Sequence, residues 1–329
     1  MRLITKRKEV IERLRQTGDA CVPLLCPNAE TPDEMEGVML AASRLATARR
    51  TTIAIGLGFT ASYPDHGQLA GIAFPGKIHE HGLTEAAQTW LGWLSTYAGR
   101  CGVFDDVEVI PFLDHGWAPN ACDQALMRES WFQEALGIIM FDASARDFEE
   151  NAALTAEYVQ QAGAHVVVEA CPDKVYSYTE IRTRQLSKSD MFSQPERVEE
   201  FVRRTGVDLL VPNLGTEHRS ASPEPIEYQH RLASEIARRV GPIQALHGTS
   251  SLGGRLSRVG SDGICKINYY TGMARAASEA VRTIWSGVPG DTALSLSHAC
   301  GSFLFRTRRD TIADNIFIVL ETLHRREVD

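Results

Sequence analysis

Three histidines close apolar runs of the 329-residue chain: His115 ends the run 110–115, His218 follows the run 210–214, and His247 ends the run 244–247. Asp114 stands directly before the first of them. Glu169 closes Val166-Val167-Val168, and Asn268 closes a run that carries Lys266 and Ile267. Imidazoles far apart in sequence, each just past the end of a strand, converge when those strands are parallel members of one barrel. Three neutral imidazoles suit Zn2+, with cobalt, iron or manganese as alternatives, and leave a coordination position open for a substrate oxygen. Beside such a metal Asp114 would either orient an imidazole or deliver a proton. A carboxylate after three valines is costly to bury alone, so Glu169 should meet a metal ligand, a cation or substrate. The remaining seven histidines read as ordinary polar residues.

Anion binding has two candidate segments. Gly248-Thr249-Ser250-Ser251 follows His247 with small residues whose backbone N–H groups can face a phosphate. Thr271, three residues after Asn268, opens a helical pattern and adds a hydroxyl and N-terminal helix amides.

The elements that must position these residues alternate. Short apolar runs lie at 20–25, 51–55, 107–113, 137–141, 164–168, 207–211, 243–246 and 263–267, bounded by turn residues as expected of parallel strands buried on both faces. Helical patterns cover 32–48, 83–98, 121–134, 147–161, 195–205, 223–240 and 271–285. Thr31 followed by Glu34 forms a capping-box pattern before the first of these. Eight alternations predict a (β/α)8 TIM barrel, and no GxGxxG follows the first strand to support an open doubly wound sheet. Long segments follow strands 2 (56–82) and 5 (171–193), on the face where barrel enzymes build lids. The expected organisation is a single domain, 1–329. An N-terminal helix (1–19) and a C-terminal helical extension (291–329) pack on it, the extension with an apolar stripe at 311–325 that faces the barrel or a partner subunit.

Composition narrows the class. Hydrophobic content of 43% and charged content of 23% are ordinary for a globular protein with a large core, and a net charge of −8 argues against nucleic-acid binding. Seven cysteines without a CxxC pair point to a reducing compartment. No apolar run is long enough to span a bilayer, so a cytoplasmic protein without membrane contact is expected. Arg306, Arg308 and Arg309 read either as a solvated face or as a second phosphate contact.

From about Ala20 to Trp285 the chain resembles the class II, metal-dependent ketose-bisphosphate aldolases, which cleave fructose- or tagatose-1,6-bisphosphate. The resemblance rests on ordered segments: Leu113-Asp114-His115-Gly116, Met140-Phe141-Asp142-Ala143-Ser144, Ser193-Gln194-Pro195-Glu196, Gly215-Thr216-Glu217-His218, Leu246-His247-Gly248-Thr249-Ser250 and Lys266-Ile267-Asn268. It implies Zn2+ on His115, His218 and His247, Asp114 as the catalytic acid, and Asn268 steadying an ene-diolate formed from dihydroxyacetone phosphate. It also implies that Gly248, Ser250 and Thr271 hold the donor phosphate and that a loop glutamate, Glu180, serves as base. Such enzymes take a phosphorylated sugar, in some cases with a monovalent cation, and the family suggests a homodimer or homotetramer.

Four positions depart from the pattern. Glu169-Ala170-Cys171 replaces the usual Glu-x-Glu, which makes Glu169 and Cys171 candidates for an alternate metal contact. Arg219 replaces the glycine after the second zinc histidine and could neutralise a phosphate or carboxylate. Tyr270 replaces a small or acidic residue, and Cys26 stands where the family has Asn, with Asn28 close by. The expected activity is therefore reversible aldol cleavage of a phosphorylated ketose. The rival readings are a metal-dependent sugar-phosphate epimerase or isomerase and a non-catalytic barrel subunit of an aldolase complex.

Overall fold

The computed structural model describes residues 1–62, 69, 82–99, 103–176, 180, 183, 192–216, 227–287 and 302–325. Nine strands form one parallel sheet: β1 (Arg2–Leu3), β2 (Leu24–Pro27), β3 (Ile53–Phe59), β4 (Val107–Trp117), β5 (Ile138–Asp142), β6 (Val167–Ala170), β7 (Leu209–Leu210), β8 (Gln244–Leu246) and β9 (Ile264–Tyr269). Strands β3 to β9 pair in chain order, and β2 pairs with β9. A parallel bridge between Asn28 and Gly58 brings the end of β2 to β3, so the sheet curls back on itself.

Helices stand between the strands: α1 (Arg7–Ala20), α2 (Pro32–Arg49), α3 (Gly82–Ala98), α4 (Ala121–Arg128), α5 (Ser130–Ala135), α6 (Phe148–Ala162), α7 (Pro195–Thr205), α8 (His230–Val240), α9 (Thr271–Gly287) and α10 (Ser302–Leu323). All eight expected strands are present, with ends moved by a few residues. No described helix is long and apolar enough to cross a membrane.

Alternation along the strands separates two apolar layers. Leu25, Leu113, Ile139, Val168, Leu210, Leu246 and Ile267 belong to the outer core shared with the helices. Leu24, Cys26, Ile110, Phe112, Ile138, Val167, Leu209 and Cys265 fill the inside, where Ile4, Val10 and Leu14 from the N-terminal segment join them. Successive strand side chains point to opposite faces, so both sets come from the same short runs.

Several local expectations are corrected. The N-terminus is not helical from residue 1: Arg2 and Leu3 pair with Glu108 and Val109 of β4, and the helix begins at Arg7. The pattern at 121–134 breaks at Glu129, whose backbone is extended (φ −67°, ψ 124°). Thr31 occupies the N-cap of α2, but its hydroxyl makes no capping bond. Glu34 instead accepts from the N–H of Glu30 at 2.6 Å. The C-terminal helix starts at Ser302, nine residues before the stripe foreseen at 311–325. Arg308 is not available to a phosphate: its guanidinium forks between Asp33 (2.6 Å) and Glu34 (2.5 Å) and ties α10 to α2. Arg309 likewise pairs with Glu36 and Asp310. The segment of 56–82 from 63 to 81, apart from Leu69, and the first residues of the helix expected at 223–240 lie outside the described residues.

Candidate metal and active site

Counting along the alternation, the interior phase ends in a polar residue on most strands: Asn28 after β2, Asp114 on β4, Asp142 on β5, Glu169 on β6, His247 after β8 and Asn268 on β9. All are buried. They share the C-terminal end of the sheet, above the apolar interior.

Two irregularities add residues that plain alternation would turn outward. On β4, Leu113 pairs with Ile139 but Gly116 pairs with Phe141, so β4 carries one extra residue. His115 absorbs the bulge in the left-handed region (φ 51°), a conformation that costs a non-glycine residue about 1–3 kcal/mol and persists where surrounding contacts over-determine it. Asp114 and His115 consequently both face the site. On β9, Gln244 pairs with Ile264 and Ala245 with Lys266, so Cys265 is the extra residue. Cys265 and Lys266 are both interior, while Ile264 and Ile267 belong to the outer core.

Asp114, His115 and His247 each offer one ligand atom, and these atoms lie within 4.8 Å of one another. His115 Nε2 and His247 Nδ1 are each 4.0 Å from Asp114 Oδ1, and the two rings stand edge to face with centroids 5.0 Å apart. Neighbours set which ring nitrogen carries the proton. His115 Nδ1 donates to Asp142 Oδ2 at 2.6 Å, and the Ser144 N–H and hydroxyl hold the other Asp142 oxygen. His247 Nε2 is 3.3 Å from Glu169 Oε1. A carboxylate can only accept, so in the neutral form of each ring the nitrogen turned to the shared point is the one with the lone pair. Burial works against charge on Asp142, but the His115 and Ser144 hydrogen bonds outweigh it and hold its carboxyl at about 2. Burial, reinforced by His115 and Lys266, lowers His247 to about 3.

Both oxygens of Asp114 are held by amides: Asn28 Nδ2 at 2.7 Å and Asn268 Nδ2 at 2.6 Å. Glu169, fully buried, meets a cation, the Lys266 ammonium at 2.8 Å, and the ring of the candidate ligand His247. Cys171 is buried with Met140, Val175, Val211 and Ala245, and burial raises its thiol well above the usual range. It is not a member of the candidate ligand group. Glu180 lies in the segment after β6 and pairs with Lys174 Nζ at 2.5 Å. His218 and Arg219 lie outside the described residues.

The small-residue segment after β8 meets the start of α9. Gly248 is left-handed (φ 68°) and opens a 3-10 turn over Thr249–Ser251. Ser250 Oγ accepts from the Gly272 N–H at 2.9 Å, next to Thr271, and Thr249 Oγ1 donates to the Asn268 carbonyl at 2.5 Å. Gly248, Ser250, Thr271 and Asn268 are thereby linked on one rim. Tyr270 closes the neighbouring side by donating to Glu30 Oε1 at 2.5 Å.

A family model described as class II fructose-bisphosphate aldolase matches residues 76–311. The chain belongs to that family. Curated relatives include a probable fructose-bisphosphate aldolase of Bacillus subtilis, 29% identical over 64% of this chain and 73% of the relative. The fructose-bisphosphate aldolase of Geobacillus stearothermophilus is 30% identical over 63% and 71%. A D-tagatose-1,6-bisphosphate aldolase subunit of Klebsiella oxytoca is 32% identical over 46% and 53%. Among solved structures, fructose-bisphosphate aldolase from Campylobacter jejuni superposes with a TM-score of 0.75 at 17% identity, covering 98% of this chain and 95% of that one. The YdjI aldolase of Escherichia coli K12 gives 0.64 at 21%, covering 96% of each. As a member of an aldolase family this protein is a lyase, and it is a divergent member.

Three further residues of the candidate site have no role assigned from the sequence alone: Asn28, Asp142 and Lys266. The first two carried a legible signal, because each is polar and in phase with interior apolar residues of its strand. Lys266 carried none, since only the β9 bulge turns it inward.

Proposed function

We propose that the protein is a metal-dependent class II aldolase on a single closed (β/α)8 barrel, cleaving a phosphorylated ketose and releasing dihydroxyacetone phosphate. The observation that carries this reading is the juxtaposition of Asp114, held at both oxygens by Asn28 and Asn268, with the facing nitrogens of His115 and His247. The donor set fits a transition metal: two imidazoles with oriented tautomers in a buried site, with His218 the expected third ligand. Bound there, Zn2+ or another divalent transition metal supplies Lewis-acid polarisation of the donor's oxygens.

The chain's own residues account for the rest. Asp114 is oriented as an acceptor, suited to take the hydroxyl proton of the ketose during cleavage and to return it to an aldehyde oxygen in the aldol direction. Asn268, fixed against Asp114, is placed to steady the deprotonated donor. The amides and hydroxyls of Gly248, Ser250 and Thr271 form the donor-phosphate cradle, next to the N-terminus of α9, with Arg219 and a monovalent cation as further contacts. Glu180 is the proposed base, on the segment after β6. Glu169 is the candidate for an alternate metal contact or for orienting a ligand, through its position against His247, whereas Cys171 lies among apolar residues. Relatives of this chain named as fructose- and tagatose-bisphosphate aldolases support a phosphorylated sugar substrate. The reading includes a cytoplasmic homodimer or homotetramer. Cys21, Cys26, Cys171 and Cys265 are thiols outside any disulfide, in keeping with a reducing compartment.

Incubation of the Zn2+-loaded protein with dihydroxyacetone phosphate in D2O tests this directly. Loss of one hydroxymethyl proton signal by NMR is expected, and a chelator should abolish it. No exchange by the metal-replete protein would overturn the donor assignment. In Asp114→Ala, carbon–carbon cleavage should fall by at least 100-fold while Zn2+ remains bound; retained turnover would remove Asp114 from its role.

A further inference from the structure

Lys266 is fully buried inside the sheet, and neither the family comparison nor the proposed catalytic assignments gives it a task. Among the described residues, its ammonium contacts Glu169, Asn268 and Phe112. It lies 2.8 Å and 3.1 Å from the two oxygens of Glu169, it donates to Asn268 Oδ1, and it sits 4.8 Å from the centre of the Phe112 ring. Glu169 in turn meets His247, and Asn268 in turn donates to Asp114. One cation therefore stands at the junction of two short chains, one leading to a candidate metal ligand and the other to the candidate proton-transfer residue.

The chemistry of that junction has one productive arrangement. An ammonium only donates and a carboxylate only accepts. A carboxamide placed between them must turn its oxygen to Lys266 and its NH2 to Asp114; the flipped amide would set NH2 against the ammonium and oxygen against the carboxylate. We propose that Lys266 is a positioning residue, which fixes the Asn268 amide toward Asp114 and holds Glu169 against His247. The proposal rests on the aldolase reading for its kinetic consequence but not for its geometry. The Cys265 bulge is the structural device behind it, because it turns Lys266 inward where alternation from Ile264 would turn it outward.

The test is a double-mutant cycle with Lys266→Met, Asn268→Ala and the double variant, each at saturating Zn2+ so that weaker metal binding through the Glu169–His247 route does not limit turnover. Turnover of dihydroxyacetone phosphate in D2O should drop about 10–100-fold in Lys266→Met with KM changed less than about threefold. The double variant should be at most about threefold worse than Asn268→Ala alone, because residues that act as one unit are not additive. Two readouts do not depend on turnover. Solvent exchange of the Asn268 side-chain NH2, followed by 15N NMR, should quicken at least about tenfold in Lys266→Met, and Zn2+ should bind at least about tenfold more weakly in a chelator competition. If Lys266→Met fails to fold, the cycle is run in a Glu169→Gln background, which leaves no uncompensated carboxylate. Multiplicative losses in the cycle, or unchanged amide exchange and Zn2+ affinity in a folded variant, would overturn the proposal. A wild-type protein that turns over no dihydroxyacetone phosphate would count against the functional reading alone, since amide exchange and Zn2+ affinity would still decide the role of Lys266.

Discussion

At the scale of single residues, the site is a set of ligand candidates each oriented by a second side chain. His115 is held by Asp142, His247 by Glu169, and Asp114 by Asn28 and Asn268. Partners of this kind fix tautomer and ring direction, and their loss typically costs 10–100-fold in metal affinity. Asp142→Ala should accordingly weaken Zn2+ binding by roughly that factor without unfolding the protein. A competition titration with a chelator measures it, and wild-type affinity in the variant would exclude an orienting role for Asp142. Asp142 was legible in principle: it ends a strand in phase with Ile138 and Met140, both interior. Glu169, after three valines, is a carboxylate that burial must pair, and Lys266 supplies the cation.

At the scale of elements, the two bulges decide which side chains enter the site. The β4 bulge is enforced by packing as well as by pairing. Gly116 lies so close to Met127 Sδ, Leu113 and the Met140 carbonyl that a Cβ there would overlap them. Gly116→Ala should therefore cost about 1–3 kcal/mol as an overpacking change. It should also shift His115 and reduce Zn2+ affinity. A urea titration alongside a Zn2+ titration checks both, and a neutral Gly116→Ala would show that the strand end adapts without moving His115. Sequence periodicity could foresee the strand but not the bulge. Every residue of 107–113 is buried, Glu108 included, so the run has no exposed face to mark its phase, and a one-residue slip exchanges the two faces.

At the scale of the molecule, the C-terminal helix packs on α2 and α9. α10 buries Ile312, Ala313, Ile316, Val319, Leu320 and Leu323. It approaches α2 so closely that a Cβ on Gly37 would stand 2.7 Å from the Arg309 carbonyl and 2.8 Å from Ile312 Cγ2. The Arg308 fork to Asp33 and Glu34 fastens the same contact at the N-terminal turn of α2. Ile312→Ala should destabilise the protein by about 2–5 kcal/mol, the usual cost of truncating a fully buried aliphatic side chain. The denaturant midpoint should move with it while Zn2+ affinity stays within about twofold in the folded protein. A midpoint unchanged by Ile312→Ala would mean that α10 is peripheral to folding.

The sequence by itself determined the alternation of eight apolar runs with helical patterns, the acidic and thiol-bearing composition, and the polar residues waiting at strand ends. Those follow from local chemistry: an apolar run must be buried, and a polar residue at its end must find a partner. It also pointed to the arginines of the tail without saying whom they meet, because a guanidinium serves a phosphate and a carboxylate pair equally well. Tertiary structure decided that Arg308 faces Asp33 and Glu34, that a two-residue strand precedes the first helix, and that His115 and Lys266 turn inward. Each of these depends on pairing with a distant segment. The phase of a strand buried on both faces is set by its neighbours' register, which no stretch of the chain carries alone.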